Sequence, residues 1–228
     1  MNPSNVSPNG TRKNCSGSHK KALTFAYRVG DGVYINLTNR CTNDCTFCLR
    51  NNADSAYGSG VLWLEREPSA AEAFEAAKSI ADGCKEFVFC GYGEPMCRTE
   101  ALKETARLLK TEYPDIPVRV NTNGQSDLIN GRDVVPELVG LIDTVSISLN
   151  TPDPEAYVRI CKPAYGEKAY HAMLDFASRC AALLPHAVFS AVRETLTDEE
   201  ILKCEEIARK TGARLRLRDY ISENNQNG

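Results

Sequence analysis

The sequence predicts an α/β fold, a partial (β/α)6 barrel with a short N-terminal β-hairpin extension. Apolar, strand-like runs alternate with amphipathic helical segments, which is typical of parallel strands joined by right-handed crossovers. The strand-and-helix units are too few to close an eight-fold barrel. With 228 residues, 42% of them hydrophobic and 25% charged, the chain can form one substantial core.

The hairpin and the strands follow from local pattern. Residues 23–28 alternate between apolar and polar side chains, and Gly30-Asp31-Gly32 offers a tight turn. The apolar run over residues 33–38 then predicts the first barrel strand. Later apolar and β-branched runs predict the remaining strands over residues 86–90, 118–121, 144–149, 187–192 and 214–217.

Capping signals and apolar spacing predict the helices. Ser69 and Glu72 form a capping box, and the helix that they begin is expected to end near Gly83. Thr197 begins a similar box for the last helix, which is expected to stop at Gly212. Apolar residues on one helical face predict further helices over residues 100–112, 134–141, 154–160 and 168–184.

The ends of the chain differ in composition from its middle. Residues 1–21 are polar and rich in Asn, Ser and Lys, so we expect a disordered segment there. Residues 22–221 are expected to form a single core domain, and residues 222–228 a short polar tail.

Charge and cysteine content restrict the compartment and the partners. The formal net charge is -3, so no basic excess favours nucleic-acid binding. No apolar run is long enough to cross a membrane, and the N-terminus lacks the apolar core of a signal peptide. The ten cysteines are therefore expected as ligands or buried thiols in a reducing cytoplasm.

The most informative pattern is a cysteine triplet directly after the first predicted barrel strand. Cys41, Cys45 and Cys48 are spaced as C-x3-C-x2-C. Thiolates are soft ligands that suit iron–sulfur clusters, and a closed cubane uses four of them. Three thiolates leave one iron with an open position, which is typical of catalytic rather than structural metal sites.

A structural zinc site is the alternative interpretation of the triplet. Zinc would need a fourth ligand at comparable spacing, and the three histidines, His19, His171 and His186, lie far away in no zinc pattern. Of the seven cysteines outside the triplet, the six that follow it in the predicted core domain form no second triplet, so we expect buried thiols and no auxiliary cluster. These six are Cys84, Cys90, Cys97, Cys161, Cys180 and Cys204. Cys97 and Cys161 are possible exceptions to the buried interpretation, because they lie in loops that follow predicted strands and could face a ligand cavity.

A glycine-rich segment follows the second predicted barrel strand. Gly91-Tyr92-Gly93-Glu94-Pro95 has the composition of a tight turn, and its glycines also allow the backbone to approach a ligand closely. Backbone carbonyls and a carboxylate at a strand end suit a bound ammonium group.

Together, the triplet and this segment resemble the radical SAM superfamily. The match includes Phe47, the aromatic residue before the last cysteine, and it extends over residues 23–220. Within the superfamily, residues 30–48 are most similar to the TatD-linked radical SAM proteins. The resemblance implies a [4Fe–4S] cluster on the three cysteines and S-adenosylmethionine (SAM), with its amine held by Gly91, Gly93 and Glu94.

Polar side chains follow two later strands. Asn121 and Asn123 end the third predicted barrel strand, and Ser148 and Asn150 end the fourth. Catalytic groups of β/α barrels lie at this end of the strands, although Ser and Asn also cap helices well. In the proteins that the chain resembles, polar residues there contact the SAM ribose or carboxylate.

The expected function is that of a radical SAM enzyme. The resemblance implies reductive cleavage of SAM to a 5′-deoxyadenosyl radical that acts on an unknown small-molecule or peptide substrate. A low-potential electron donor such as flavodoxin or ferredoxin is then implied. Two alternatives remain at this point, a non-catalytic iron–sulfur binding or electron-transfer protein and a glycyl-radical activating enzyme.

Overall fold

A computed structural model describes residues 19–219 of the chain. Its centre is one curved sheet with strands in chain order from β1 to β7. The first two strands form an antiparallel hairpin, and all later neighbours pair in parallel. The strands are β1 (Ala26–Val29), β2 (Gly32–Ile35), β3 (Glu86–Phe89), β4 (Val118–Thr122), β5 (Thr144–Ser148), β6 (His186–Val192) and β7 (Arg214–Arg218).

Helices lie between the parallel strands. They are α1 (Ala70–Lys78), α2 (Thr99–Glu112), α3 (Ser126–Asn130), α4 (Val135–Leu138), α5 (Pro154–Cys161), α6 (Lys168–Leu183) and α7 (Asp198–Thr211). The predicted capping boxes are present, since Ser69 accepts from the Glu72 backbone and Thr197 accepts from the Glu200 backbone. Each box satisfies two amides that would otherwise lack a partner at the helix end.

The core lies between the outer face of the sheet and the helices. Val145, Ile147 and Leu149 alternate along and beyond β5 and are fully buried in the same cluster as Met173 and Phe176 of α6. The intervening Ser146 and Ser148 lie on the inner face of the sheet. Because side chains of a strand alternate, the outer face carries the apolar core and the inner face is left polar.

The predicted α/β partial barrel with its hairpin is confirmed, with differences at the element ends. α1 ends at Lys78, before the predicted end near Gly83, because the chain leaves the helix in consecutive turns there. The short helix α3 was not predicted, since its five residues are too few to show helical periodicity. α4 spans four residues, fewer than expected over residues 134–141.

The predicted disordered segment and tail lie almost wholly outside the described residues. Within residues 19–219, none of the helices combines the length and the apolar character that a membrane span requires.

Candidate active site

A cavity of about 500 Å³ opens on the inner face of the sheet, near the carboxyl ends of the strands. Such a volume is in the range of small-ligand sites. Each residue that the sequence predicted for the site lines this cavity: Cys41, Cys45, Cys48, Gly91, Gly93, Glu94, Asn121, Asn123, Ser148 and Asn150. Parallel strands bring their carboxyl ends to one side of the sheet, so residues far apart in sequence meet here.

The cysteine loop, residues 41–48, is fixed by backbone hydrogen bonds to the end of α5. The Asp44 amide donates to the Cys161 carbonyl at 3.1 Å, and the Thr46 amide donates to the Ile160 carbonyl at 2.9 Å. The Ala164 amide donates back to the Thr42 carbonyl at 2.7 Å. The loop therefore has a defined path even though it contains no regular secondary structure before the turn at its end.

A buried polar network supports the same loop from the side of β4. Gln125 accepts from the Thr42 hydroxyl at 2.9 Å and donates to Asn43 Oδ1 at 2.7 Å and to the Tyr157 hydroxyl at 3.2 Å. Asn123 donates to Thr42 Oγ1 at 2.8 Å and accepts from the Gln125 amide at 3.0 Å. The Asn123 amide group, although it borders the cavity, is therefore used to hold the cysteine loop.

Gln125→Ala should destabilise the protein by about 1–3 kcal/mol, because it leaves buried Thr42 and Asn43 groups without their partner. Anaerobic urea unfolding of the cluster-free protein measures this loss. Asn52→Ala is the matched control, since Asn52 is exposed and its removal should change stability by less than about 0.5 kcal/mol. Equal effects of the two substitutions would contradict a supporting role for Gln125.

The two glycines of the segment after β3 allow contacts within the protein. A Cβ on Gly91 would stand 2.1 Å from Asn36 Oδ1. A Cβ on Gly93 would stand 2.2 Å from the Thr38 carbonyl oxygen and 2.6 Å from that of Arg40. The Glu94 amide donates to the same Arg40 carbonyl at 2.7 Å. This segment therefore rests directly on the chain that leads into the cysteine loop.

The Glu94 carboxylate joins two of the loops that form the cavity. It accepts from the Thr122 hydroxyl and the Asn123 amide, each at 2.7 Å, and from the Met96 amide at 3.0 Å. Burial raises the pKa of Glu94, and these three donors oppose that rise by stabilising the carboxylate. Glu94 thus connects the segment after β3 to the end of β4 by hydrogen bonds.

The three thiols lie in a desolvated environment next to one buried cation. Burial, with the negative Glu94 nearby, raises the pKa of Cys41 to about 12. The neighbouring Cys161 thiol and burial raise the pKa of Cys45, and burial raises that of Cys48. Arg50 opposes all three shifts, because a positive charge favours the thiolate.

Arg50 is a site residue that the sequence interpretation missed. Its side chain is buried and donates to the Asn43 carbonyl at 3.1 Å and to the Tyr92 carbonyl at 3.4 Å. The position two residues after the cysteine loop gives little signal, since most arginines are exposed. Here the fold places a fixed positive charge beside the thiols, where it favours any negatively charged group that they bind.

The other described cysteines differ in burial and in whether they line the cavity. Cys84, Cys161, Cys180 and Cys204 are buried, as expected. Cys90 is only partly buried and lines the cavity, so its assignment to the core was wrong; it is the residue next to Gly91, beyond the end of β3. Neither Cys97 nor Cys161 lines the cavity, although Cys161 accepts from Asn150 Nδ2 at 3.3 Å.

The histidines do not complete a zinc site. His19 is hydrogen-bonded to Asp54, His171 lies in α6 and His186 begins β6 at its amino end, and none of them lines the cavity. Among residues 19–219, no three His, Cys, Asp or Glu side chains are close enough together to hold one metal ion. In a cubane, by contrast, each thiolate binds a different iron, so its ligands need not converge on one point.

Further polar residues of the inner face were missed. Ser146, Ser190, Arg119, Arg216 and Arg218 all line the cavity. The available signal was their alternation, since Arg119 precedes Asn121 by two positions and Ser146 precedes Ser148 by two. A charged residue between two buried apolar residues, as Arg119 is between Val118 and Val120, is the most direct form of this signal.

Comparison with protein families gives one match over most of the chain. The family described as the radical SAM superfamily matches residues 35–208. The GTP 3′,8-cyclase of Acidothermus cellulolyticus is 26% identical over 200 residues, which cover 85% of this chain and 52% of that protein. The probable GTP 3′,8-cyclase of Methanosarcina acetivorans is 30% identical over 203 residues, 87% of this chain and 57% of that protein. The chain spans about half the length of these relatives.

Solved structures share the fold at low sequence identity. Streptococcus suis SuiB bound to its precursor peptide SuiA superposes with a TM-score of 0.61 at 16% identity, over 82% of this chain and 39% of that one. A radical SAM methyltransferase from Sphaerobacter thermophilus gives a TM-score of 0.53 at 16% identity, over 85% of this chain and 68% of that one. Both comparisons support the partial-barrel architecture.

Proposed function

Because this chain belongs to the radical SAM superfamily and is an enzyme that uses a [4Fe–4S] cluster and SAM, we propose that Cys41, Cys45 and Cys48 hold the cluster. The observation that carries the proposal is that the three thiols of one short loop line the same cavity as the polar strand ends. Three thiolates would leave one iron open to SAM.

The residues present fit both groups. Partly buried thiols beside the buried, positively charged Arg50 suit a cluster whose thiolate ligands make it anionic. Cluster binding by these thiols displaces their protons, as metal binding to cysteine requires. Asn121 Oδ1 is buried at the cavity wall without a hydrogen-bond partner among residues 19–219, so it is available to a donor on a bound ligand.

We assign the SAM-binding part of the cavity to Gly91, Gly93, Glu94, Asn121, Asn123, Ser148 and Asn150. Backbone groups of the segment after β3 are suited to the SAM amine, and Glu94 fixes their position and adds a negative charge. Asn150 has a left-handed backbone with φ of 63°, a conformation that Asn tolerates, and this turn sets the rim of the cavity beyond Ser148. Asn123 contributes through the cysteine loop that its amide group holds.

Held by Cys41, Cys45 and Cys48, a reduced [4Fe–4S] cluster would supply the one electron needed for cleavage of bound SAM to methionine and a 5′-deoxyadenosyl radical able to abstract hydrogen from a substrate. The chain provides binding, orientation and a cavity that limits access of water. Arg50 balances negative charge at the thiols. The electron comes from a low-potential donor of the flavodoxin or ferredoxin class.

The substrate is a separate question from this chemistry. Curated relatives include GTP 3′,8-cyclases and the FeMo cofactor biosynthesis protein NifB of Chlorobaculum tepidum, 25% identical over 145 residues, 60% of this chain and 33% of that protein. The similarity of residues 30–48 to the TatD-linked group stays a prediction. Cleavage of SAM at the cluster does not depend on which substrate the enzyme takes.

Release of 5′-deoxyadenosine tests the proposed function. Anaerobically reconstituted protein, reduced with dithionite and supplied with SAM, should form 5′-deoxyadenosine above the background of a Cys41→Ala, Cys45→Ala, Cys48→Ala variant. Mass spectrometry measures the product, and equilibrium dialysis with labelled SAM measures binding in parallel. Bound SAM with product no greater than in the variant would contradict the assignment of this cavity to SAM cleavage.

A further inference from the structure

Three arginines face the cavity from the strands themselves. Arg119 projects from β4, and Arg216 and Arg218 project from β7. The register pairs Ser190 of β6 with Arg216 and Val192 with Arg218, which places both arginines on the inner face with the serines of β5 and β6. Arg216 reaches across the sheet, where its Nη2 donates to Ser146 Oγ on β5 at 3.3 Å.

Of these three arginines, only Arg119 has a carboxylate partner among the described residues. Arg119 forms an ion pair with Glu86 at 2.7 Å and contacts the Tyr34 hydroxyl at 3.4 Å. Within residues 19–219, neither Arg216 nor Arg218 forms an ion pair with a carboxylate. Asp219, the last described residue, also lines the cavity and is the nearest acidic residue in sequence.

The two unpaired guanidinium groups are held in an unfavourable arrangement. Arg218 Nε is buried and has no hydrogen-bond partner among the described residues. Burial, followed by repulsion from Arg119 and Arg218, lowers the pKa of Arg216. A buried donor without a partner and like charges close together both cost stability, and an anion between them would relieve both.

We propose that Arg216 and Arg218 bind the anionic group, a carboxylate or a phosphate, of the enzyme's substrate. The guanidinium fork matches the oxygen geometry of both groups, and two adjacent forks add charge as well as direction. The hydroxyls of Ser146 and Ser190 border the same part of the cavity and can donate to the same oxygens. This inference names a substrate class for the proposed site and therefore rests on the proposed function.

A solvent-exposed basic strand is the competing interpretation of β7. This strand is the last of the sheet, and Arg216 itself is substantially exposed. Arg214, two positions before Arg216, fits the interpretation as a solvent-exposed basic strand, because it is exposed and does not line the cavity. Arg218 differs because it is partly buried and its Nε is enclosed. Arg214 can therefore serve as a control for the effect of positive surface charge on anion binding.

The test measures anion binding to the cluster-loaded protein by anaerobic titration calorimetry. The probes are inorganic phosphate, pyrophosphate and malonate, with neutral malonamide as the control solute. An Arg216→Gln, Arg218→Gln double variant should bind the preferred probe at least tenfold more weakly, whereas Arg214→Gln should stay within twofold of the unmodified protein. Preference for the phosphates indicates a phosphorylated substrate, and preference for malonate indicates a carboxylic acid.

Two results would overturn the proposal. One is that none of the anionic probes binds the unmodified protein more tightly than malonamide does. The other is that Arg214→Gln weakens binding as much as the double variant, which would assign the effect to surface charge. Iron content and SAM binding are measured on every sample. If these are absent from the unmodified protein, the proposed function fails; if they are intact in the double variant while anion binding is unchanged, only the substrate inference fails.

Discussion

Replacing Cys41, Cys45 and Cys48 together by alanine is expected to abolish the iron–sulfur cluster. Anaerobically reconstituted unmodified protein should contain about four irons and four sulfides per chain, and the triple variant should contain close to none. The reason is that the triple variant lacks all three proposed ligands, and among residues 19–219 no three His, Cys, Asp or Glu side chains lie close enough together to hold one metal ion. Colorimetric iron and sulfide assays, with the visible absorption spectrum, measure the loss.

Cys97→Ala is the matched control for that experiment. Cys97 follows the Gly91–Pro95 stretch in a short helical turn, is also only partly exposed and does not line the cavity. Its removal should leave iron content unchanged. A triple variant that still held a full complement of iron, or a Cys97→Ala protein that lost it, would show that the cluster ligands are assigned to the wrong residues.

Gly93→Ala is expected to disturb the cysteine loop from a distance in sequence. The added Cβ would stand 2.2 Å from the Thr38 carbonyl oxygen, a backbone atom that cannot rotate away. Relief requires moving the chain just before Cys41, so we expect a loss of about 1–3 kcal/mol in stability together with weaker cluster retention. Urea unfolding and the rate of iron loss to a chelator measure the two effects.

Gly60→Ala controls for the general cost of adding a methyl group to a loop glycine. Its Cβ would approach only Thr24 Oγ1, at 3.3 Å, and its backbone does not require a left-handed conformation. We expect a small change in stability and unchanged iron retention. If Gly93→Ala behaved in the same way, the contact between the segment after β3 and the cysteine loop would have no part in holding the cluster.

Much of the architecture was accessible from the sequence, because the signals involved are local. The parallel strands were predicted from runs of a few residues, and the two capping boxes were read from side chains three positions apart. The cysteine triplet and the polar strand ends could be assigned to one site because parallel strands all end on the same side of the sheet. Predicted element ends were less accurate, as the early end of α1 at Lys78 illustrates.

Only the tertiary structure decided which side chains meet. Gln125 and Arg50 support the cysteine loop through contacts that span 83 positions in one case and seven in the other, and neither contact has a pattern in the sequence. The structure also placed Cys90 at the cavity and Cys161 against Cys45.

By itself, then, the sequence predicted the order of the strands, the cysteine triplet that we propose as the cluster ligands, and the edge of the sheet at which the candidate site lies. The curvature of the sheet decided the rest, because it brings Arg119 of β4 and Arg216 and Arg218 of β7 to the same cavity, close enough for their positive charges to repel one another. Periodicity assigns a residue to one face of a strand, but the distance between charges on separate strands is set by the curvature of the whole sheet.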